Sequence, residues 1–360
     1  MAITGHLAPA FLGVLRASRR KNTQKARRKW LYVIGKKNDD NMKIQIIQNA
    51  IIIEININEK RYNFFLDSGF PFSFSKDLSQ ISNEHLKSEC TFKLDLQKPP
   101  IDISDLERHL GIILSGFLGL NFIQKFETFS INLNENKIEF NTTFESDFSL
   151  PLININPIVT NFSIVNNDKK GFALFDTGAF QSMFFNLNDL NKNYNSSKGW
   201  VFPSAFGKML IDYYSEVPVF FENKNLGNYT FGYPTNLPKM PFKYVLGLNF
   251  MSEFSVNLNF KNKTIDFKKN IKVNNRIFKL NSDLYSLGFQ LIYENNEFIV
   301  SNILTGFENE FLNVNDKITF IEPIDMCSFY NSIVSFKQSK NIELKINNKK
   351  AILQTMPVFN

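Results

Sequence analysis

The sequence predicts a mainly-β protein in which two related β units in one chain are followed by a smaller α+β domain. Three observations carry this. Apolar residues alternate with period two in short runs bounded by turn residues, the mark of half-buried strands. Three blocks of sequence recur in the same order and sense in two parts of the chain. The composition is that of a globular protein, 43% hydrophobic and 21% charged, over a length of 360 residues that asks for two or three domains.

The first stretch, residues 1–41, is read apart from the rest. Ten Lys/Arg and no acid fall in residues 1–38, so the formal charge of +7 belongs to this head, and the remaining chain carries 31 basic against 34 acidic groups. A nucleic-acid-binding body is therefore not expected. The apolar run Leu7–Leu15 is far shorter than the ~18–20 residues a membrane-spanning helix needs, so no integral span is expected. Its positive charge follows the apolar run instead of preceding it, the reverse of a secretory signal. An acid-free, Arg-rich head suits a targeting presequence, and Arg27-Arg28-Lys29 with Trp30 and Tyr32 could touch phosphate or anionic lipid. The plainer reading is a disordered extension, or a start placed ahead of the true one, with Met42 an alternative start. The compartment stays open. Cys90 and Cys327 lie far apart, and His6, His85 and His109 join no cluster with metal-ligand spacing, so neither a disulfide framework, nor a metal, nor a cofactor is expected.

The first unit is placed at 42–150 and the second at 151–270. Alternation over Ile51–Ile57 and Tyr62–Leu66, broken by Asn58-Glu59-Lys60, predicts a hairpin that delivers Asp67 to a strand end. Asp67-Ser68-Gly69 is then turn chemistry, with the glycine allowing close approach of a second backbone and the hydroxyl free to bond neighbouring main chain. Ser73 follows six residues after the aspartate, and Phe117-Leu118-Gly119-Leu120-Asn121-Phe122 comes later. In the second unit Asp176-Thr177-Gly178, Ser182 and Val245-Leu246-Gly247-Leu248-Asn249-Phe250 repeat the series. The Leu-Gly pairs let a strand pass tightly over each turn. Each unit closes on a hairpin, Ile131–Leu133 with Ile138–Phe140 and Val256–Leu258 with Ile265–Phe267. The aspartate-to-glycine interval is 52 residues in the first unit (67 to 119) and 71 in the second (176 to 247), and the extra nineteen predict an enlarged loop or flap in the second.

A single Asp-Thr-Gly is an ordinary surface turn. Two that bring the same surroundings imply a pair of carboxyls related by an approximate two-fold axis. Held about 3 Å apart, two carboxyls cannot both ionise and share one proton, which supplies a base and an acid beside one water, the requirement for hydrolysing an amide. At these residues the sequence resembles the retropepsin-like aspartic proteases, especially bacterial two-lobed forms joined to a PDZ-like domain. The resemblance covers about residues 45–268. It implies two retropepsin-like β-barrel lobes and an aspartic-type endopeptidase that hydrolyses extended polypeptides without a cofactor. Asp67 and Asp176 would be catalytic, Ser68 and Thr177 would lock the two loops together, and Gly69 and Gly178 would line the substrate backbone. A flap is implied near Gly199–Tyr214, where Trp200 and Tyr213-Tyr214 are either flap aromatics or ordinary sheet residues. With both aspartates in one chain, catalysis does not require an oligomer. One departure stands out. Phe70-Pro71 occupies the place of a small residue, as Ala179 does in the second unit, and a displaced first loop would leave a catalytically inactive pseudoprotease acting as a peptide-binding scaffold.

After Lys268-Lys269-Asn270 a polar linker leads to a last unit at 283–360. Strand-like Gln290–Tyr293 and Phe298–Ile303, a turn at Asn315-Asp316, a helix-like stretch Cys327–Phe336 and a final hairpin, Ile342–Ile346 with Ala351–Leu353, resemble a PDZ domain. That resemblance implies that the loop Leu287-Gly288-Phe289 captures a C-terminal peptide ligand. The alternative is a small β-rich domain that only packs on the rest. Cysteine-nucleophile, Gly-x-Ser-x-Gly, P-loop and dinucleotide signatures are absent.

Overall fold

A computed structural model describes residues 29–34, 41–57, 60–77, 90–164, 171–190, 194–204, 207–221, 224–237, 240–272, 277, 279–295, 297–308, 310–321 and 333–359. Strands dominate, as the alternation predicts, and none of the described helices is long and apolar enough to cross a membrane.

The two repeats build matching ladders. In the first, Ala50–Ile57 and Lys60–Leu66 form the expected hairpin, and Gly116–Leu118 runs parallel to the second of these strands and antiparallel to Ser73–Ser75. In the second, Ile158–Ile164 and Gly171–Phe175 form the hairpin, while Tyr244–Leu246 runs parallel to the latter and antiparallel to Met183–Phe184. A six-stranded sheet joins the repeats, in the order Asn41–Ile47, Lys137–Phe140, Thr128–Asn132, Phe254–Asn259, Thr264–Lys269, Phe148–Ile155. At its centre Ile131 faces Val256, the corresponding residue of the other repeat, so the approximate two-fold axis passes between them. Seam polarity is satisfied internally. Ser130 Oγ bonds Asn257 Oδ1 at 3.0 Å, and Asn257 Nδ2 donates to Asp266 Oδ2 at 3.0 Å. Alternate residues of these strands, including Phe129, Ile131, Val256, Leu258 and Phe267, enter one core shared by both repeats.

Two expectations need correction. Part of the presumed extension is structured: Lys29–Ile34 is a strand paired antiparallel with Cys90–Gln97, and Asn41 opens the strand Asn41–Ile47. The reason is local, since Lys-Trp-Leu-Tyr-Val-Ile is rich in aromatic and β-branched residues and covers what is otherwise an open edge. Residues 1–28 and 35–40 lie outside the described residues. The helix-like stretch Cys327–Phe336 ends as a strand, Ile333–Phe336, paired with Tyr285–Glu294; residues 327–332 lie outside the described residues.

The last unit is a sheet in which Tyr285–Glu294, Glu297–Ile303, Lys317–Phe320, Asn341–Ile346 and Lys349–Gln354 are successive antiparallel neighbours. Asn315 takes φ +76° at the turn before Lys317, the left-handed conformation that asparagine tolerates. Leu287, Phe289, Leu291, Val300, Ile318 and Leu344 form its own core.

Candidate functional site: an aspartate pair beneath a long hairpin

Each aspartate follows directly from the parallel pairing described above. The Asp67 amide donates to Leu118 O at 3.0 Å and the Asp176 amide to Leu246 O at 3.1 Å, so both stand at the ends of strands buried in the core. The serine six residues on and the asparagine of the later block then latch each turn. Ser73 donates from its amide and its hydroxyl to Asn121 Oδ1, both at 2.7 Å, and accepts from the Gly119 amide at 2.9 Å. Ser182, Asn249 and Gly247 repeat this at 2.6, 2.8 and 3.0 Å. Gly119 and Gly247 are required, because a Cβ would lie 2.5 Å from Phe72 O and 2.6 Å from Gln181 O. The recurrence of Ser73/Ser182 and Asn121/Asn249 is legible in the sequence, but their mutual bonds are not. Their shared offsets were the available signal.

The two turns are bolted together. The Ser68 amide donates to Thr177 Oγ1 and the Thr177 amide to Ser68 Oγ, each at 2.9 Å. Ser68 Oγ in turn donates to Phe175 O at 2.9 Å, and Thr177 Oγ1 to Leu66 O at 3.1 Å. Both hydroxyl residues are fully buried. This cross-bonding brings Asp67 and Asp176 into hydrogen bond with each other. Each glycine clears the opposite carboxyl: a Cβ on Gly69 would sit 2.6 Å from Asp176 Oδ2, and one on Gly178 would sit 2.5 Å from Asp67 Cγ. Amides of Gly69 and Phe70 donate to Asp67 Oδ1 at 2.9 and 3.0 Å, and that of Gly178 to Asp176 Oδ1 at 2.8 Å.

Burial raises both carboxyls above the ordinary aspartate range. Asp67 is raised well above it, first by desolvation and then by the neighbouring Asp176, whereas for Asp176 the Gly178 amide and the bond from Asp67 oppose the rise. The pair therefore holds one proton over an intermediate range of pH, with Asp67 the side that retains it. A carboxyl whose folded pKa lies above its unfolded value favours the folded state at low pH and loses that contribution as pH rises through the folded value. Asp67→Asn is accordingly expected to melt above the wild type at neutral pH by about 1–2 °C, for about 1 kcal/mol of relief in a chain of this size. The gap should close toward the ordinary aspartate pKa. Melting curves from acid to neutral pH check this; a gap that widens on acidification would contradict it.

Above the pair lies a cavity of about 230 Å³. The first unit contributes Gly69, Phe70, Pro71, Phe72 and Ile101, and nearly all the remaining wall is apolar and comes from the second, including Leu174, Met183, Phe185 and Val245. Its roof is a hairpin of Ser196–Ser204 and Gly207–Phe221, longer than the Gly199–Tyr214 segment expected as a flap, which places Phe202, Pro203, Ser204, Met209, Ile211 and Tyr213 against the cavity. The lengthening of the second repeat goes into this hairpin. Trp200 and Tyr213 are core residues, buried edge-to-face with ring centroids 5.6 Å apart.

Phe70 does not displace the first loop. Its carbonyl accepts from Leu120 at 2.7 Å as that of Ala179 does from Leu248 at 2.9 Å, and its ring turns aside onto Phe72, Phe74 and Phe117. Behind the cavity residues Phe180 and Phe202, His109, from the helix Ser104–Leu110, is buried and stacked on Phe180 with Phe202 edge-on. Desolvation pushes its imidazole down to about 4, so it is neutral near pH 7. No group of three or more metal-ligating side chains forms among the described residues.

Leu287-Gly288-Phe289 lies away from this site and is not a loop. All three sit inside the strand Tyr285–Glu294, where a register shift between Ser286 and Gln290 makes a bulge at Gly288, φ +80°. Glycine is needed because a Cβ would meet Phe307. The strand is paired with Glu297–Ile303 on one side and with Ile333–Phe336 on the other, so a peptide could add there only by displacing the latter. No family model matches the chain, and no curated protein matches it.

Proposed function

We propose that the protein is an aspartic endopeptidase of the retropepsin-like type, in which Asp67 and Asp176 activate a water against an extended polypeptide. The single observation that carries this reading is the contact between the two carboxyls, drawn together by reciprocal Ser68/Thr177 bonds at the ends of symmetry-related strands. Asp176, the more readily ionised member, takes a proton from water as general base while protonated Asp67 donates to the amide oxygen. An elongated substrate suits a cleft between β units beneath a hairpin, where backbone hydrogen bonds can be strand-like, and the apolar lining favours hydrophobic side chains beside the scissile bond. We place the last unit as PDZ-like, serving here to pack on the hairpin; C-terminal peptide recognition at Leu287-Gly288-Phe289 has the paired strand edge against it. The inactive scaffold reading loses its motive, since Phe70-Pro71 leaves the first loop bonded as its counterpart is.

The test is cleavage of a mixed peptide library between about pH 4 and 7.5, with products identified by mass. Activity is expected to pass through a maximum where the pair holds one proton and to fall as the second proton leaves. A flat profile, or no cleavage of any library member, would defeat the proposal.

A further inference from the structure

The cavity roof is held from outside. Along the edge of the strand Ser196–Ser204 that is not paired with Gly207–Phe221, the last unit engages backbone groups of Lys198, Gly199 and Val201. The Thr305 amide donates to Lys198 O at 3.2 Å, and Asn302 Nδ2 donates to Gly199 O at 2.6 Å. Gln290 then takes both backbone groups of Val201: Oε1 accepts from the Val201 amide at 2.8 Å and Nε2 donates to Val201 O at 3.0 Å. One side chain thus does for Val201 what a neighbouring strand would do. Gln290 is only 2% exposed, and Asn302 Nδ2 orients its oxygen at 2.8 Å.

The packing runs through the same place. Trp200, Phe202, Met209, Ile211 and Tyr213 of the hairpin share one buried core with Leu280, Leu304, Phe307, Val358 and Phe359. Four of those hairpin residues, all but Trp200, also face the aspartate cavity. None of the residues lining the cavity comes from the last unit. A shift of the hairpin against that unit therefore changes the distance between roof and carboxyls, and a displacement of ~1 Å at a reacting centre can cost ~100-fold in rate.

We propose that Gln290 is a positioning residue that fixes the hairpin over Asp67 and Asp176, so that the site is completed by a unit contributing nothing to its lining. Its kinetic consequence rests on the peptidase reading; its structural consequence does not. Gln290→Leu keeps the volume and removes three hydrogen bonds. In the folded variant, amide hydrogen exchange over Gly199–Phe202 is expected to rise by about tenfold or more while Ser68 and Thr177 stay protected, the two bonds lost at Val201 being worth together about a factor of ten. KM for a library-derived peptide should rise by a similar factor, with the pH profile of the aspartate pair unmoved.

Exchange and KM both within twofold of wild type in folded Gln290→Leu would overturn the proposal. If the wild type cleaves nothing while hairpin exchange still rises in the variant, the peptidase reading fails and the positioning role stands. Should Gln290→Leu not fold, Gln290→Glu, which keeps the acceptor for the Val201 amide and loses the donor, is judged on the same two measurements.

Discussion

Asp67→Asn and Asp176→Asn are each expected to lower peptide turnover by at least about 10³-fold, the upper part of the range for general acid–base catalysis, while leaving the fold intact. The two failures differ in kind. An amide in place of Asp176 removes the carboxylate that is raised the less of the two, and with it the proton acceptor. An amide in place of Asp67 leaves a donor aimed at Asp176 but one that cannot release its proton to the amide oxygen of the substrate. Since neither change alters side-chain volume, and Gly69 and Gly178 already clear these positions, near-UV circular dichroism should stay native. Either variant turning over within about tenfold of wild type would end the assignment of paired roles.

Thr177→Val is expected to lose about 2–6 kcal/mol of stability. The substitution is close to isosteric, so no cavity forms. It strands the Ser68 amide and Leu66 O, both buried and both otherwise bonded to Thr177 Oγ1, at about 1–3 kcal/mol for each unmet group. Because donor and acceptor belong to the other repeat, the loss falls on the joint between the two turns and peptide turnover should fall with it. Thr177→Ser, which keeps the hydroxyl, should recover most of both. Urea denaturation with kinetics on the same preparations measures this; a Val variant within about 0.5 kcal/mol of wild type would show that the cross-bonding contributes little.

The duplicated core was readable because its physics is local and repeated. Period-two runs at Ile51–Ile57 and Tyr62–Leu66 became strands, and the recurring aspartate, serine and Leu-Gly-Leu-Asn blocks became two copies of one turn. The joining of Asp67 to Asp176 could be anticipated only through the symmetry that a repeat implies. Features without a repeat were harder. Lys29–Ile34 sits in a compositionally foreign head, and its short apolar run Trp30–Ile34 was hidden by the surrounding charge. The bulge at Gly288 places Leu287 and Phe289 in a core, where the resemblance to a PDZ domain implied a ligand-binding loop. Ile333–Phe336 pairs with a strand that lies about forty to fifty residues away in sequence, a non-local pairing that no local pattern encodes. The contact of Gln290 with Val201 spans 89 positions and carries no motif.

The double membership of Phe202 constrains how this protein can diversify. Its ring, parallel to that of Trp200 at 6.3 Å, is at once cavity wall and part of the core beneath the last unit. Trimming it to admit a bulkier ligand would cost about 3–5 kcal/mol of packing, a large share of a marginal stability. Leu174 and Val245 line the same cavity but belong to a separate small cluster with Val159, Ala179 and Phe242. Tolerated variation in ligand preference, by natural drift or in a mutant library, should therefore accumulate on that side, with the roof inherited nearly unchanged.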